Sequence, residues 1–273
     1  MMTKKGPQQN RALSRNWSVL IPYYNEAGFL PRTLASLLAQ QLRPARLILV
    51  DNGSTDGSAA LARQVMAGAE DIETLYLDEP RPGRLCALQT GLAAVDSEFV
   101  ALCDADTWYP PHYLRQADRL FARSGPDVVA VIAADIYHPA RSWRGWLQRA
   151  KIVAASRLLT KQAHAGSCGH NLRTDAARRV GGFSTAYWPY VLGDHEFMHR
   201  LFRIGRTRYH RNLWCMPSPR RSNAATTSWT LAERLLYNLT CYSLKDWYFY
   251  RFLNTRLEKR NLTGLKLRER TWQ

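Results

Sequence analysis

Two carboxylates one residue apart, Asp104 and Asp106, close an apolar run from Glu98 to Cys103. A short apolar run of this kind reads as a buried strand, so the pair stands where a strand reaches the rim of its sheet. Alternate strand residues point to the same side. If extended geometry persists through Ala105, both carboxylates face one ligand, and a divalent ion held there with open positions could bridge to the diphosphate of a nucleotide. Three further charged residues stand at comparable places: Asp51 after the run Ala45 to Val50, Arg84 after Gly83, and Asp194 after Gly193 at the start of a helical pattern.

The segments between them alternate in period. Trp17 to Pro22 is an apolar run closed by a proline, which cannot continue a central strand. A polar loop, Tyr23 to Gly28, leads to Leu30, Leu34, Leu37 and Leu38 at helical spacing. The run Ala45 to Val50 is followed by Asp51-Asn52-Gly53-Ser54-Thr55-Asp56-Gly57, rich in turn and N-cap formers, and then by a helix through Leu61 and Val65. A third strand over Ile72 to Leu77 precedes the Gly83 to Leu92 segment and the aspartate strand. Strand-helix alternation predicts an α/β fold with a mostly parallel sheet covered on both faces, and ligands outside the carboxyl ends of the strands. Asp51, Arg84, Asp104 and Asp106 all fall near those ends.

In this order the motifs resemble the inverting family 2 glycosyltransferases, whose nucleotide-diphospho-sugar transferase fold is called GT-A. The similarity runs from about Ser18 to Arg221 and includes Val50-Asp51-Asn52-Gly53-Ser54, Gly83-Arg84, Asp104-Ala105-Asp106, Gly169-His170-Asn171, Gly181-Gly182-Phe183 and Gly193-Asp194-His195-Glu196. Asn52 stands where a second Asp is common, Arg84 where Lys is usual, Gln89 where Asn is usual, and Gly193 where Glu is frequent.

The resemblance implies sugar transfer from a nucleotide-diphosphate sugar, with uridine the expected base. It implies that Pro22, Tyr23, Glu26 and Asp51 line the nucleotide pocket, that Arg84 lies near the base or diphosphate, and that Asp104 lies near the ribose or sugar. Asp106 becomes the direct ligand of a divalent metal, Mg or Mn. Asp194 becomes the base that takes the proton of the acceptor hydroxyl on the face opposite the leaving nucleotide, with His195 and Glu196 on the acceptor side. Residues 16–110 form the nucleotide-sugar half, 111–222 the acceptor half, and 223–273 a basic, aromatic, helical C-terminal appendage.

A rival pattern overlaps the base. His195-Glu196-Phe197-Met198-His199 has the spacing of a zinc-protease helix, two imidazoles on one face with a Glu between them. A catalytic zinc normally takes three protein ligands. No His follows at the short Gly-containing spacing, and no Asp or Glu stands between Glu196 and Glu233, so the transferase reading takes precedence over a metalloprotease. A nucleotidyltransferase would want a Gly-rich phosphate loop after the first strand, where this chain has Tyr23-Tyr24-Asn25-Glu26. The remaining alternative is a non-catalytic sugar- or membrane-binding relative, against which the three intact carboxylates Asp104, Asp106 and Asp194 speak.

The chain has 273 residues, of which 46% are hydrophobic, enough for a full core and too many for wholesale disorder. No apolar stretch is long enough to span a bilayer. Residues 1–15 are expected to form a disordered basic tail and not a signal peptide. Five cysteines without a Cys-x-x-Cys pair suit reduced thiols in the cytoplasm. Net charge is +16, and from Arg203 to Gln273 fifteen Lys or Arg face four acidic residues, interleaved with aromatics. A second such stretch runs from Ser142 to Lys161. Both suit an anionic membrane surface, so the expectation is a peripheral protein on the cytosolic leaflet meeting a glycan or lipid-linked acceptor, with no nucleic acid partner.

Overall fold

The computed structural model describes residues 12–220 and 230–263. Its elements in chain order are β1 (Ala12–Tyr23), α1 (Leu30–Leu38), β2 (Leu42–Asp51), α2 (Ser58–Met66), β3 (Glu73–Asp78), α3 (Arg84–Ala93) and β4 (Phe99–Leu102). There follow β5 (Thr107–Trp108), α4 (Tyr113–Ala122), β6 (Val128–Asp135), α5 (Trp143–Leu158), β7 (His170–Arg173), α6 (Thr174–Arg179), α7 (Gly193–Ile204), β8 (Arg206–Pro217) and α8 (Leu231–Leu239). A helical run, Lys245–Trp247, Tyr248–Leu253 and Asn254–Lys259, follows α8, its middle part wound as π-helix.

The sheet has eight strands in the order β3-β2-β1-β4-β7-β6-β8-β5. The first four are parallel, β7 runs antiparallel to both its neighbours, and β8 returns parallel to β6. Strands buried on both faces should be apolar throughout, not alternating, and β4 and β6 are: Phe99 to Leu102 and Val128 to Ala134 are all buried. One face packs on α1, α2 and α4 through residues such as Leu34, Ala62 and Phe121. The other packs on α3, α6 and α7 through Leu88, Ala177 and Phe197. Gly91 permits the close seating of α3, since a Cβ there would fall 2.1 Å from a Leu20 methyl.

Three expectations change. The basic tail was expected to reach residue 15, but β1 begins at Ala12 and its backbone pairs with Leu42 to Pro44 of β2; residues 1–11 of that tail lie outside the described residues. Strand geometry does not persist through the acidic pair: β4 ends at Leu102, and Ala105 and Asp106 form a turn into β5. The C-terminal appendage is helical as expected, but several of its aromatic side chains do not face outward. Tyr237, Tyr248, Phe249, Leu253 and Leu257 are buried together with Trp188 and Val191, so these side chains extend the core. Glu233, itself fully buried, binds Arg256 and Arg260 at 2.8 Å each, neutralising part of the segment's basic charge. Residues 223–229 and 264–273 of the segment lie outside the described residues.

Candidate active site

The rim begins at the carboxyl ends of β1 and β2, where Tyr23 pairs in register with Asp51. Beyond them the loop from Asn25 to Ala27 is tied to the next loop. The Asn25 N–H donates to the Ser54 hydroxyl at 3.0 Å, the Glu26 N–H to the Ser58 hydroxyl at 2.8 Å and the Ala27 N–H to Asp56 at 2.9 Å. Asp56 is therefore a clamp between loops. Asp51 accepts the Ser54 N–H at 2.8 Å, the local bond expected of an Asp opening a turn. Pro22 and Tyr23 are both buried beneath this loop. Burial, with Asp51 and Asp78 nearby, pushes the Tyr23 phenol well up, so it stays protonated.

Asn52 explains its own departure from the acidic pattern. Its amide donates to the carbonyls of Glu79 and Arg81, each at 2.8 Å, and its carbonyl accepts the Gly83 N–H at 2.8 Å. An ionised Asp accepts only and could not make the first two bonds. Asn52 thus fixes the loop that delivers Arg84 at the start of α3.

The turn after β4 sends its carboxylates to different partners. Asp104, buried, binds the Arg84 guanidinium at 2.6 Å. Its N–H donates to the Tyr109 hydroxyl at 2.9 Å, which donates in turn to the Cys168 carbonyl at 2.7 Å. Ala105 is held through its carbonyl, which accepts the Thr33 hydroxyl at 2.7 Å. Asp106, also buried, binds Arg220 at 3.1 Å, and the same guanidinium pairs with Glu26 and lies 4.4 Å above the Phe29 ring. Sequence reasoning passed over Arg220 because it lies more than a hundred residues from Asp106; only the antiparallel pairing of Thr107 with Pro217 brings it there.

The third group surrounds Asp194. His195 Nδ1 lies 3.1 Å from its carboxylate. Burial alone would raise the Asp194 carboxyl, but His195, His170 and Arg84 outweigh it and hold the group below the usual carboxylate range. Gly193 admits α3 alongside, since a Cβ there would come within 2.7 Å of Leu85. Arg84, one residue away, thereby links the base candidate to the acidic turn.

His170 stands in the Gly169-His170-Asn171 motif at the start of β7. It is buried, neither ring nitrogen has a hydrogen-bond partner among the described residues, and its charged surroundings are Asp194, Arg84, His195 and Asp104. Burial is the main reason its pKa is pushed down to about 4. The unfolded chain, with a pKa near 6.5, takes up the proton first as pH falls, so stability is complete above about 6.5 and declines by roughly 3 kcal/mol down to about pH 4. His170→Gln should flatten that part of the profile. Urea unfolding across the range checks it, and parallel profiles for parent and variant would place the acid sensitivity elsewhere.

Glu196, expected on the acceptor side, turns its carboxylate into the protein. It is buried and forked onto Arg200 at 2.8 and 3.0 Å, with the Tyr250 hydroxyl donating at 2.6 Å. The i to i+4 spacing on α7 makes this pair with Arg200, and the role is structural. The zinc reading fails on the same geometry. Its Glu is neutralised by Arg200, His199 Nε2 binds Asp246 at 2.6 Å and stacks on Phe249, and His195 is engaged by Asp194. Among the described residues no group of three or more His, Cys, Asp or Glu side chains could hold a metal by itself.

Residues 18–181, well over half of the chain, match the pattern of glycosyl transferase family 2. The chain belongs to that family. The succinoglycan biosynthesis protein ExoA of Rhizobium meliloti is 26% identical over 200 residues, covering 70% of this chain and 58% of its own length. An undecaprenyl-phosphate 4-deoxy-4-formamido-L-arabinose transferase of Pectobacterium carotovorum is 34% identical over 125 residues, 44% of this chain and 38% of its own. The chain thus spans between about two-fifths and three-fifths of the length of these two relatives. A mannosyltransferase from Pyrobaculum calidifontis, solved with GDP-mannose and Mn2+, superposes with a TM-score of 0.65 at 24% identity, over 82% of this chain and 63% of that one. The family member described here therefore has the GT-A fold.

Proposed function

We propose that the protein is an inverting glycosyltransferase that moves a sugar from a nucleotide-diphosphate sugar, with uridine the expected base, to a hydroxyl of a lipid-linked acceptor at the cytosolic face of a membrane. One observation carries this reading: two guanidinium groups, Arg84 and Arg220, meet the acidic turn, and Arg84 also lies in the field of the separate, partly buried carboxylate Asp194. Cations suited to a diphosphate and a carboxylate suited to an acceptor thus converge from motifs far apart in the chain.

In this reading residues 16–110 bind the donor and 111–222 the acceptor. Pro22, Tyr23, Glu26 and Asp51 line the nucleotide pocket, while Arg84 and Asp104 orient diphosphate and sugar. Asp106 is the residue that would hold a divalent Mg or Mn ion. Its donor chemistry fits: one buried carboxylate, with diphosphate oxygens and water completing the shell, is a common arrangement for Mg2+. When bound, the ion supplies charge neutralisation at the departing diphosphate. Asp194, ionised in the free protein, accepts the hydroxyl proton as the acceptor oxygen attacks the anomeric carbon from the opposite side. His195 fixes the carboxylate through its 3.1 Å contact. Once Arg84 turns to the diphosphate, its charge favours the ionised carboxylate less, and the basicity of Asp194 rises.

The lipid-linked acceptor draws support from the relative named for undecaprenyl phosphate. The test is a donor screen with UDP- and GDP-sugars, with and without Mn2+ or Mg2+, reading out free nucleoside diphosphate. Metal-dependent release from one nucleotide class is expected. Tight binding of a nucleotide sugar with no release, whatever the acceptor, would make the protein a non-catalytic sugar-binding relative.

A further inference from the structure

Helix α5 is sixteen residues long, yet Gly145 is its only buried residue. A helix normally hides an apolar stripe against its domain, and here much of the apolar content faces out: Trp143 is 69% exposed, Trp146 56% and Leu158 83%. Helix α8 does the same. Leu231, Leu235 and Leu239, spaced i, i+4 and i+8, form one ridge along the helix and are 75%, 53% and 82% exposed.

The two helices flank one open cleft of about 780 Å³, lined by Trp143, Leu147 and Lys151 of α5 and by Arg234 of α8. At the far end, the Gln162 amide reaches the α8 carbonyls of Tyr237 and Asn238 at 3.4 and 3.2 Å. Both helices thus border one cleft, α5 through Trp143 and α8 through Arg234, the residue before Leu235. Its charge has one sign on the α5 side: no Asp or Glu occurs between Asp135 and Asp175, an interval that includes Arg141, Arg144, Lys151, Arg157 and Lys161. Among the described residues no helix is long and apolar enough to cross a membrane.

We propose that this α5–α8 face seats the protein on a bilayer bearing anionic headgroups, with the tryptophans and leucines at the acyl boundary and the basic side chains among the phosphates. Exposed tryptophans and leucines beside Lys and Arg are the side chains that seat at a headgroup boundary, and the charge complementarity selects the occupant. A second copy would have to meet the same face across a two-fold axis, setting cation against cation. Nucleic acid would leave the leucine ridge without a partner. The inference rests on the lipid-linked acceptor reading for its purpose, and the fold supplies the link: α8 presents the leucines outward and Tyr237 inward, where its ring meets His195 at 6.0 Å between centroids. The acceptor side of the site thus lies directly behind the docking face.

The test is sedimentation of the full chain with vesicles of phosphatidylcholine alone or mixed with phosphatidylglycerol, at low and high salt. The parent should bind the anionic vesicles, less so at high salt. Arg144→Gln with Lys151→Gln should weaken binding about thirtyfold, and Trp143→Ser with Trp146→Ser should remove most of it. Leu231→Ser with Leu239→Ser on α8 gives an independent second variant. Folding of each is checked by circular dichroism, and nucleoside diphosphate affinity should be unchanged in all. Parent protein indifferent to phosphatidylglycerol, or folded variants that bind like the parent, would overturn the inference. So would a dimer in solution that the tryptophan pair disrupts. Nucleotide binding without vesicle binding sinks the docking face alone, whereas vesicle binding without nucleotide binding sinks the transferase reading and spares the face.

Discussion

Asp194→Asn should transfer sugar to a hydroxyl acceptor about a hundredfold to ten-thousandfold more slowly than the parent, the usual cost of losing a general base, with donor affinity little changed. The substitution is narrow. Asparagine keeps the size of the side chain and an oxygen for the His195 contact, and α7 has Leu192 as its N-cap with no side-chain capping bond, so a lost cap is a poor explanation for a slow variant. The structure also removes the obvious substitute, because Glu196 is committed to Arg200 and Tyr250. Transfer rate and donor dissociation constant on the same preparation decide the matter. A folded variant with near-parental transfer to a hydroxyl acceptor would dismiss Asp194 as the base. A phosphate acceptor offers a control, since its attacking oxygen carries no proton at neutral pH and the same variant should then lose little.

Asp106→Asn should lose metal-supported nucleotide binding. Changing a residue that merely orients a metal ligand typically costs ten- to a hundredfold in affinity, so replacing the ligand itself should cost at least that. An amide also gives up the ion pair with Arg220, and the unfolding midpoint is measured alongside to separate the two effects. Calorimetry with a nucleoside diphosphate and Mn2+ or Mg2+ reads the affinity. Equal metal-dependent binding by the two proteins would remove Asp106 from the metal site.

The parallel half of the sheet, β1 to β4, was legible because its strands obey local rules, whereas β5 to β8 were not anticipated. Apolar runs of four to eight residues bounded by turn signals fit buried strands, although Pro22 does not close the first one: β1 continues to Tyr23 against β2, because its pairing with β4 on the other side ends at Leu20. Asp104, Arg84 and Asp194 were legible for a related reason, as charged residues directly after strand or glycine punctuation. What escaped was set by long-range pairing. The antiparallel contact of β5 with β8 brings Arg220 onto Asp106, and no periodicity near residue 220 hints at it. Alternation misled at Ala105, where a turn held by Thr33 and Tyr109 replaces the strand. Composition misled in the C-terminal segment, since aromatic residues suit a membrane surface and a core equally, and burial assigns Tyr237, Tyr248 and Phe249 to the core. The same criterion leaves Trp143 and Trp146 outside. Glu196 shows the limit of sequence proximity: two residues from Asp194, it points into an ion pair with Arg200 because residues i and i+2 of a helix face about 200° apart.

The most direct measurement of the central claim is the anomeric configuration of the product, followed by proton NMR as the nucleoside diphosphate is released by the full chain. Single displacement with Asp194 as base predicts a product of configuration opposite to the donor from the first turnover, at a rate that collapses in Asp194→Asn. A product that retains the donor configuration would contradict the account.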